Sequence, residues 1–353
     1  MVTLANAFAE RGFTVDLVLA SATGPYLSEV SSAVNVVDLK RSRVITSLPG
    51  LVEYLRRKKP TALLSAMGHA NVIALLARDL ARVATRVVVS ERANLSVYST
   101  RANGFRKRLM TWFMGRAYRR ANASIAVSAG VADDLVARTG LQRETIDVVF
   151  NPVVGEYLQE MAEIPAEYPW LPPDTRPLIL ALGRLVEQKG FSTLIRAFAR
   201  LRAERSVRLV ILGEGELRQE LESETERLGV SSDVVLPGFV NNPFPVLRQA
   251  NLFVLSSGWE GLPNGLIQAM ACGTPVVSTD CPSGPAEILE NGRWGRLVPV
   301  GDEVALAEAM AETLDEAEHP DVSARAAYFS LDRAVEGYLD LMLPEETKER
   351  SYT

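Results

Sequence analysis

Twelve short runs rich in Val, Ile and Leu, most of them separated by stretches of helical spacing, constrain this chain more than any other feature. Six come early: FTVDLVL (13–19), VNVVDL (34–39), TALLS (61–65), RVVVS (86–90), SIAVS (124–128) and IDVVF (146–150). Between them lie segments such as NVIALLARDLARV (71–83), whose apolar residues recur every three or four positions as on one face of a helix. Strands that alternate with helices need crossover connections, and these build a parallel sheet covered on both faces. The pattern restarts at PLILALG (177–183), VRLVILG (207–213), DVVLPG (233–238), NLFVLS (251–256), TPVVST (274–279) and GRLVP (295–299). The fold class expected is therefore α/β, with two doubly wound, Rossmann-like domains. A chain of 353 residues has the length for two separate cores.

Between the two series, residues 151–177 carry Pro152, Pro165, Pro169, Pro172, Pro173 and Pro177. Proline fixes φ and removes a backbone donor, so this segment suits an ordered linker better than a sheet or helix. Domains are expected at 1–165 and 166–353, with a last helix at about 330–343 packing back on the first. The start is unusual, because the helical pattern VTLANAFAERG precedes any strand. A doubly wound domain normally opens on a strand and a ligand-facing turn. Either the fold begins on a helix or that first strand and loop are absent from this sequence.

Charge divides unevenly. Residues 1–165 carry 21 Lys and Arg against 14 Asp and Glu, a net +7, and the remainder is −12. The first half suits an anionic surface and the second is repelled by one. The two cysteines, Cys272 and Cys281, are too few for a disulfide framework or a zinc site. No apolar run approaches the length that spans a bilayer, and the start lacks a signal-peptide pattern, so a cytoplasmic location is expected.

Two strand exits in the second half carry the chemistry. In open parallel sheets, ligands bind outside the carboxyl ends of strands. GRLVEQKG (183–190) leaves one such end and places Arg184 and Lys189 there, two cations that suit a diphosphate. SSGWEGLPNGLIQAMACG (256–273) leaves another, with Glu260 at the strand end, then Gly261, Leu262, Pro263 and Asn264. The helix that follows turns its free amides and positive dipole end toward the crevice, where phosphate oxygens are the natural occupant. Gln268, a turn into the helix, has the reach to bond ligand hydroxyls. The alternative reading makes Asn264 a helix cap and Gln268 an ordinary polar-face residue.

Other signals are weaker. GEGE (213–216) lacks the full G-x-G-x-x-G pattern and reads equally as a tight turn. Phe239, after Pro237 and Gly238, is either a cover for a flat base or a core residue. In the first half, His69, Glu91 and Arg92 stand at strand ends, as ligand-facing groups or as structural ones. No D-x-D occurs, and the two histidines are far apart, so a metal-held diphosphate is disfavoured. Residues 101–120, RANGFRKRLMTWFMGRAYRR, combine seven basic residues with Trp112, Phe113 and Tyr118. On a helical wheel these interleave, so part is expected in the core while the basic excess suits an anionic membrane.

With these residues in view, the chain resembles the family 4 glycosyltransferases, retaining enzymes of the GT-B fold, over nearly its whole length and most specifically at 179–299. The resemblance implies that Arg184 and Lys189, in a G-R-x(4)-K-G loop that starts at Gly183, hold the donor diphosphate. It implies that Glu260 faces the donor sugar, that the amides of Gly261 to Asn264 lie near the phosphates, and that Gly238, Phe239 and Val240 meet the base. The family's second acid, which holds the ribose hydroxyls, is matched by Gln268. An amide keeps an acceptor and adds a donor while losing charge-assisted strength, so weaker donor binding follows. Relatives usually begin with a strand and Gly-rich loop ahead of the first helix here. Many also have a His where Glu91 and Arg92 stand; His69 is a separate catalytic candidate, and Glu91 and Arg92 are acceptor-side candidates.

The activity so implied is metal-independent, retaining transfer of a sugar from a nucleotide diphosphate, a UDP-sugar above all, to a hydroxyl of a cell-surface glycan or lipid-linked saccharide. The sugar nucleotide is a co-substrate, and no further cofactor and no nucleic-acid partner are expected. The membrane contact expected is peripheral, at the inner face of the cytoplasmic membrane through the basic domain, and domain closure about residues 152–177 accompanies turnover. A UDP-sugar epimerase of the same fold and a nucleotide-sugar-binding protein without turnover are the alternatives.

Overall fold

A computed structural model describes residues 1–98, 104–165, 168, 170–171 and 175–343, with side chains left aside at 25, 97–98 and 104–110. It contains twelve strands among the described residues: β1 (Val15–Leu19), β2 (Val34–Asp38), β3 (Ala62–Ala66), β4 (Arg86–Glu91), β5 (Ala123–Ala126), β6 (Ile146–Val148), β7 (Leu178–Leu182), β8 (Arg208–Leu212), β9 (Val234–Gly238), β10 (Leu252–Leu255), β11 (Val276–Thr279) and β12 (Arg296–Val298). Each coincides with one of the twelve apolar runs to within a residue or overlaps it. All recorded pairings are parallel.

The chain forms two compact units, Met1–Pro152 with Asp332–Thr353, and Val153–Leu331. The division thus falls after residue 152, ahead of the expected 165. The segment expected to be a linker without helix contains one, Glu156–Glu163. It starts after Gly155, buries Leu158 and packs on the helix Phe244–Gln249, where Asn242 Nδ2 donates to the Met161 carbonyl at 2.8 Å. Its prolines lie outside the helical turn itself, which is why they do not break it.

In the second unit the strand order is β12-β11-β10-β7-β8-β9. The chain starts in the middle at β7, builds outward to β9, then returns to β10 on the other side of β7. The order reverses between β7 and β10, the topological switch point where a crevice opens beyond the carboxyl ends. The strands are mostly apolar because helices cover both faces. Phe191–Glu204 and Glu303–Asp315 pack together on one face around Phe198, Leu194, Leu306 and Met310, all essentially inaccessible. On the other, Asn264–Ala271 packs on Val322–Ala326. Burying each such side chain is worth roughly 1.5–3 kcal/mol, enough to hold the loop ends in register.

In the first unit β3-β4-β5-β6 form one sheet and β1-β2 a separate pair. The full lengths of β1 and β3 line a largely apolar cavity of about 720 Å³. The helix Leu331–Met342 closes this unit from Asp332 onward: Tyr338 is fully buried, Arg86 Nε donates to the Leu341 carbonyl at 2.8 Å, and Arg11 pairs with Asp332 at 2.6 Å. Among the described residues no helix is long and apolar enough to cross a membrane.

Candidate functional site at the switch point

The loops that leave β7 and β10 are bonded to each other as one piece. The Gly258 amide donates to the Gln188 carbonyl at 2.8 Å, and Ser256 Oγ donates to the Lys189 carbonyl at 2.8 Å. Gln188 Nε2 donates to the Trp259 carbonyl at 2.9 Å. Gly190 makes the approach possible: its φ is +61°, and a Cβ there would lie 2.2 Å from the Ser256 carbonyl oxygen. Only glycine fits both the left-handed conformation and that contact.

Across this junction Lys189 Nζ meets Glu260 Oε1 at 2.5 Å, with side-chain exposures of 18% and 8%. The same oxygen accepts from Ser257 Oγ at 2.7 Å. Ser257 is itself fixed, since its carbonyl accepts from Thr279 Oγ1 at 2.6 Å. Glu260 Oε2 has a long contact, 3.5 Å, from Gln188 Nε2. The carboxylate is thus gripped from three strand ends, β7, β10 and β11. Beside it the Cys281 thiol is pushed up to about 12, by burial first and then by the negative charge of Glu260. A thiol so placed stays protonated and is no nucleophile.

Arg184, in contrast, is exposed, with no ion pair among the described residues. The loop therefore presents one cation already paired and one open. Gly261, Leu262 and Pro263 are buried and pressed by Gly284, whose Cβ would stand 2.5 Å from Pro263 Cδ. Pro263, not Asn264, occupies the cap position of the helix Asn264–Ala271, and no side chain caps it. Asn264 is the exposed first helical residue, and Gln268, one turn on, is half-buried on the same side. Leu266, Ile267, Ala269 and Met270 face the core.

GEGE is a packing device. A Cβ at Gly213 would lie 1.9 Å from the Gly183 carbonyl oxygen, and one at Gly215 would lie 2.3 Å from that of Leu185. These glycines let the loop after β8 lie against the loop after β7. Phe239 is 73% exposed at the carboxyl end of β9, which excludes the core alternative. Gly238 before it has φ +98°, and Val240 after it is half-buried.

The residues of the first unit divide. His69 is exposed at the start of the helix Gly68–Ala81. Glu91 does not face solvent as expected; it is 3% exposed at the end of β4 and turned inward. Tyr118 OH donates to its Oε1, and Asn71 Nδ2 donates to the same oxygen at 3.1 Å. Burial, its largest influence, pushes the Glu91 carboxyl up to about 7 although both hydrogen bonds oppose it. Arg92 is half-buried and ties strands to the last helix, donating to Asn151 Oδ1 at 3.0 Å and to Tyr338 OH at 3.3 Å. Sequence reasoning missed Gln188, Ser257 and Thr279. The signals were faint: an amide beside Lys189, a Ser three residues before Glu260, and a strand-end Thr.

Two Rossmann-like units of this kind place the chain in the GT-B class of folds. The solved structure of Anabaena HepE in complex with UDP and glucose superposes with a TM-score of 0.78 at 18% identity, covering 96% of this chain and 93% of that one, a likeness of fold. Sequence comparison defines the family. A model described as Glycosyltransferase Family 4 matches residues 1–156, and one described as Glycosyl transferases group 1 matches 176–316. The lipopolysaccharide core biosynthesis glycosyltransferase LpsE of Rhizobium meliloti is 30% identical over 319 residues, 88% of this chain and 83% of that protein. The N-acetylgalactosamine-N,N'-diacetylbacillosaminyl-diphospho-undecaprenol 4-alpha-N-acetylgalactosaminyltransferase of Campylobacter jejuni is 30% identical over 254 residues, 71% of this chain and 66% of that one. The chain belongs to the family 4 glycosyltransferases.

Proposed function

We propose that this chain transfers a sugar, with retention and without a metal, from a UDP-sugar to a hydroxyl of a lipopolysaccharide or lipid-linked glycan, working against the anionic face of a membrane. The named relatives act on acceptors of this kind, and HepE was solved with UDP. The observation that carries the reading is the Lys189–Glu260 contact at the switch point, with Arg184 open beside it.

A diphosphate entering here draws Lys189 Nζ away from Glu260 and adds Arg184. Both cations then stabilise the charge that grows on the departing UDP, electrostatics directed at the transition state and not at the sugar. Glu260, kept in place by Ser257, accepts hydroxyls of the donor sugar and orients the anomeric carbon. Phe239 covers the base, and Gln268 bonds the ribose hydroxyls with an amide where relatives have an acid. His69 is the candidate for acceptor contact in the first unit. Glu91 serves structure there, since a buried group cannot reach an acceptor.

The test incubates the protein with UDP-sugars and an undecaprenyl-diphosphate-linked acceptor, with and without EDTA, and follows UDP release and the anomeric configuration of the product. Transfer with retained configuration and insensitivity to EDTA is expected. UDP binding without release would leave a binding protein, and an isomerised free sugar nucleotide would make it an epimerase.

A further inference from the structure

The segment expected to interleave basic and apolar positions does so on its exposed face where the structure describes it, and has a buried face opposite. The helix Gly104–Tyr118 continues helically through Arg119, whose amide bonds the Gly115 carbonyl, and turns at Arg120. At 3.6 residues per turn, Trp112, Phe113, Arg116, Arg119 and Arg120 share an arc of about 120°. All five are exposed. The opposite side is buried: Met114 and Tyr118 lie in the core, and Gly115 presses on the helix Ala129–Thr139, where a Cβ would stand 2.4 Å from the Thr139 carbonyl oxygen. Tyr118 anchors this side by its hydrogen bond to Glu91.

Two large aromatics side by side in water are unusual on a surface otherwise polar. Trp112 and Phe113 are 58% and 55% exposed, with ring centroids 5.1 Å apart in an edge-to-face pair. Three arginines share their face. Arg120 is paired with Asp79 at 2.5 Å and Arg119 donates to the Gly140 carbonyl at 3.3 Å; among the described residues Arg116 and Arg119 have no ion pair. The first half of the chain carries a net +7.

We propose that this face docks the first unit on an anionic phospholipid bilayer. Trp112 and Phe113 enter the boundary between headgroups and acyl chains, and Arg116, Arg119 and Arg120 meet lipid phosphates with their stems lying along the apolar layer. The pairing of aromatic rings with cations on one arc favours this occupant over a protein. A specific protein interface needs roughly 1,000 Å² of buried surface, whereas interfacial anchoring works with a few aromatics and charges. The inference names the surface behind the membrane contact of the proposed function and is independent of the donor site.

Sedimentation with vesicles tests it, using phosphatidylglycerol mixed with phosphatidylethanolamine in one arm and phosphatidylcholine alone in the other. The protein should partition onto the first and not the second, and release as salt is raised. Trp112→Ala with Phe113→Ala should lower the partition at least about tenfold, and Arg116→Glu with Arg119→Glu should abolish it, with UDP affinity unchanged in both variants. Should either variant fail to fold, quenching of the wild-type tryptophan fluorescence by brominated phosphatidylglycerol vesicles decides in its place. Equal binding to both vesicle types, undiminished binding of the aromatic variant, or absence of quenching would overturn the proposal. So would a wild-type dimer that dissociates in the aromatic variant, which would make the face a contact between copies. UDP titration of the same samples reports separately on the donor site, so failure of one reading leaves the other standing.

Discussion

Glu91→Gln isolates one buried proton. In the folded chain burial lifts the Glu91 carboxyl from an ordinary 4.5 to about 7. As pH rises past 4.5 the unfolded carboxyl ionises while the folded one keeps its proton, so the unfolded state is favoured progressively until about 7, where both are ionised. A shift of this size corresponds to about 3 kcal/mol of stability, fully present below pH 4.5 and lost by the time the folded group titrates. Glutamine at 91 keeps an oxygen to accept from Tyr118 and cannot ionise. The assay is urea unfolding of both proteins across pH 4.5 to 8. The quantity of interest is the difference between them, in which all other titrations cancel. The variant should gain on the wild type by about 3 kcal/mol across that window. A difference that does not change with pH would refute the buried-acid assignment and return Glu91 to the list of ligand-facing groups.

Three further outcomes follow from the donor-side loops. Lys189→Met leaves the Glu260 carboxylate without its cation and should destabilise by roughly 2–4 kcal/mol, most of it restored by adding Glu260→Gln; a double variant equal to the sum of the singles would contradict the pairing. Gly190→Ala, at φ +61° with a Cβ 2.2 Å from the Ser256 carbonyl, should lose about 2 kcal/mol or more in urea melts, and an unchanged midpoint would remove the close-approach argument. Ser257→Ala should keep UDP affinity within about twofold while kcat falls on the order of tenfold to hundredfold, because Glu260 loses its fixed partner once Lys189 turns to the diphosphate. Ser257→Thr should restore the rate; equal losses in both quantities would show the serine holds the loop and not the acid.

How far the sequence speaks depends on whether a signal is local. The central strands of the second unit were legible because a strand buried on both faces is almost continuously apolar, so VRLVILG or NLFVLS cannot hide. Arg184, Lys189, Glu260 and Gln268 were legible because they follow such strands directly. The strand order was not, and it is the order that sets the exits of β7 and β10 side by side at the switch point. The helix Glu156–Glu163 was masked by prolines that flank it at a distance. The inward turn of Glu91 depends on Tyr118, 27 residues away, and no local pattern reports such a pair. The stripe of Trp112, Phe113 and the arginines mixes aromatic and basic positions on one arc, so a wheel shows interleaving there and does not report which arc is exposed. That β1 and β3 belong to separate sheets and both line the cavity is likewise a matter of strand order.

The central claim is that the loops after β7 and β10 hold a nucleoside diphosphate. Calorimetric titration of UDP and of UMP into the wild type and Arg184→Ala tests it most directly. UDP should bind the wild type more tightly than UMP, and the arginine variant should lose about tenfold to hundredfold in UDP affinity while its weaker UMP binding changes little. Equal affinities for UDP and UMP in the wild type, or UDP affinity indifferent to Arg184→Ala, would contradict it.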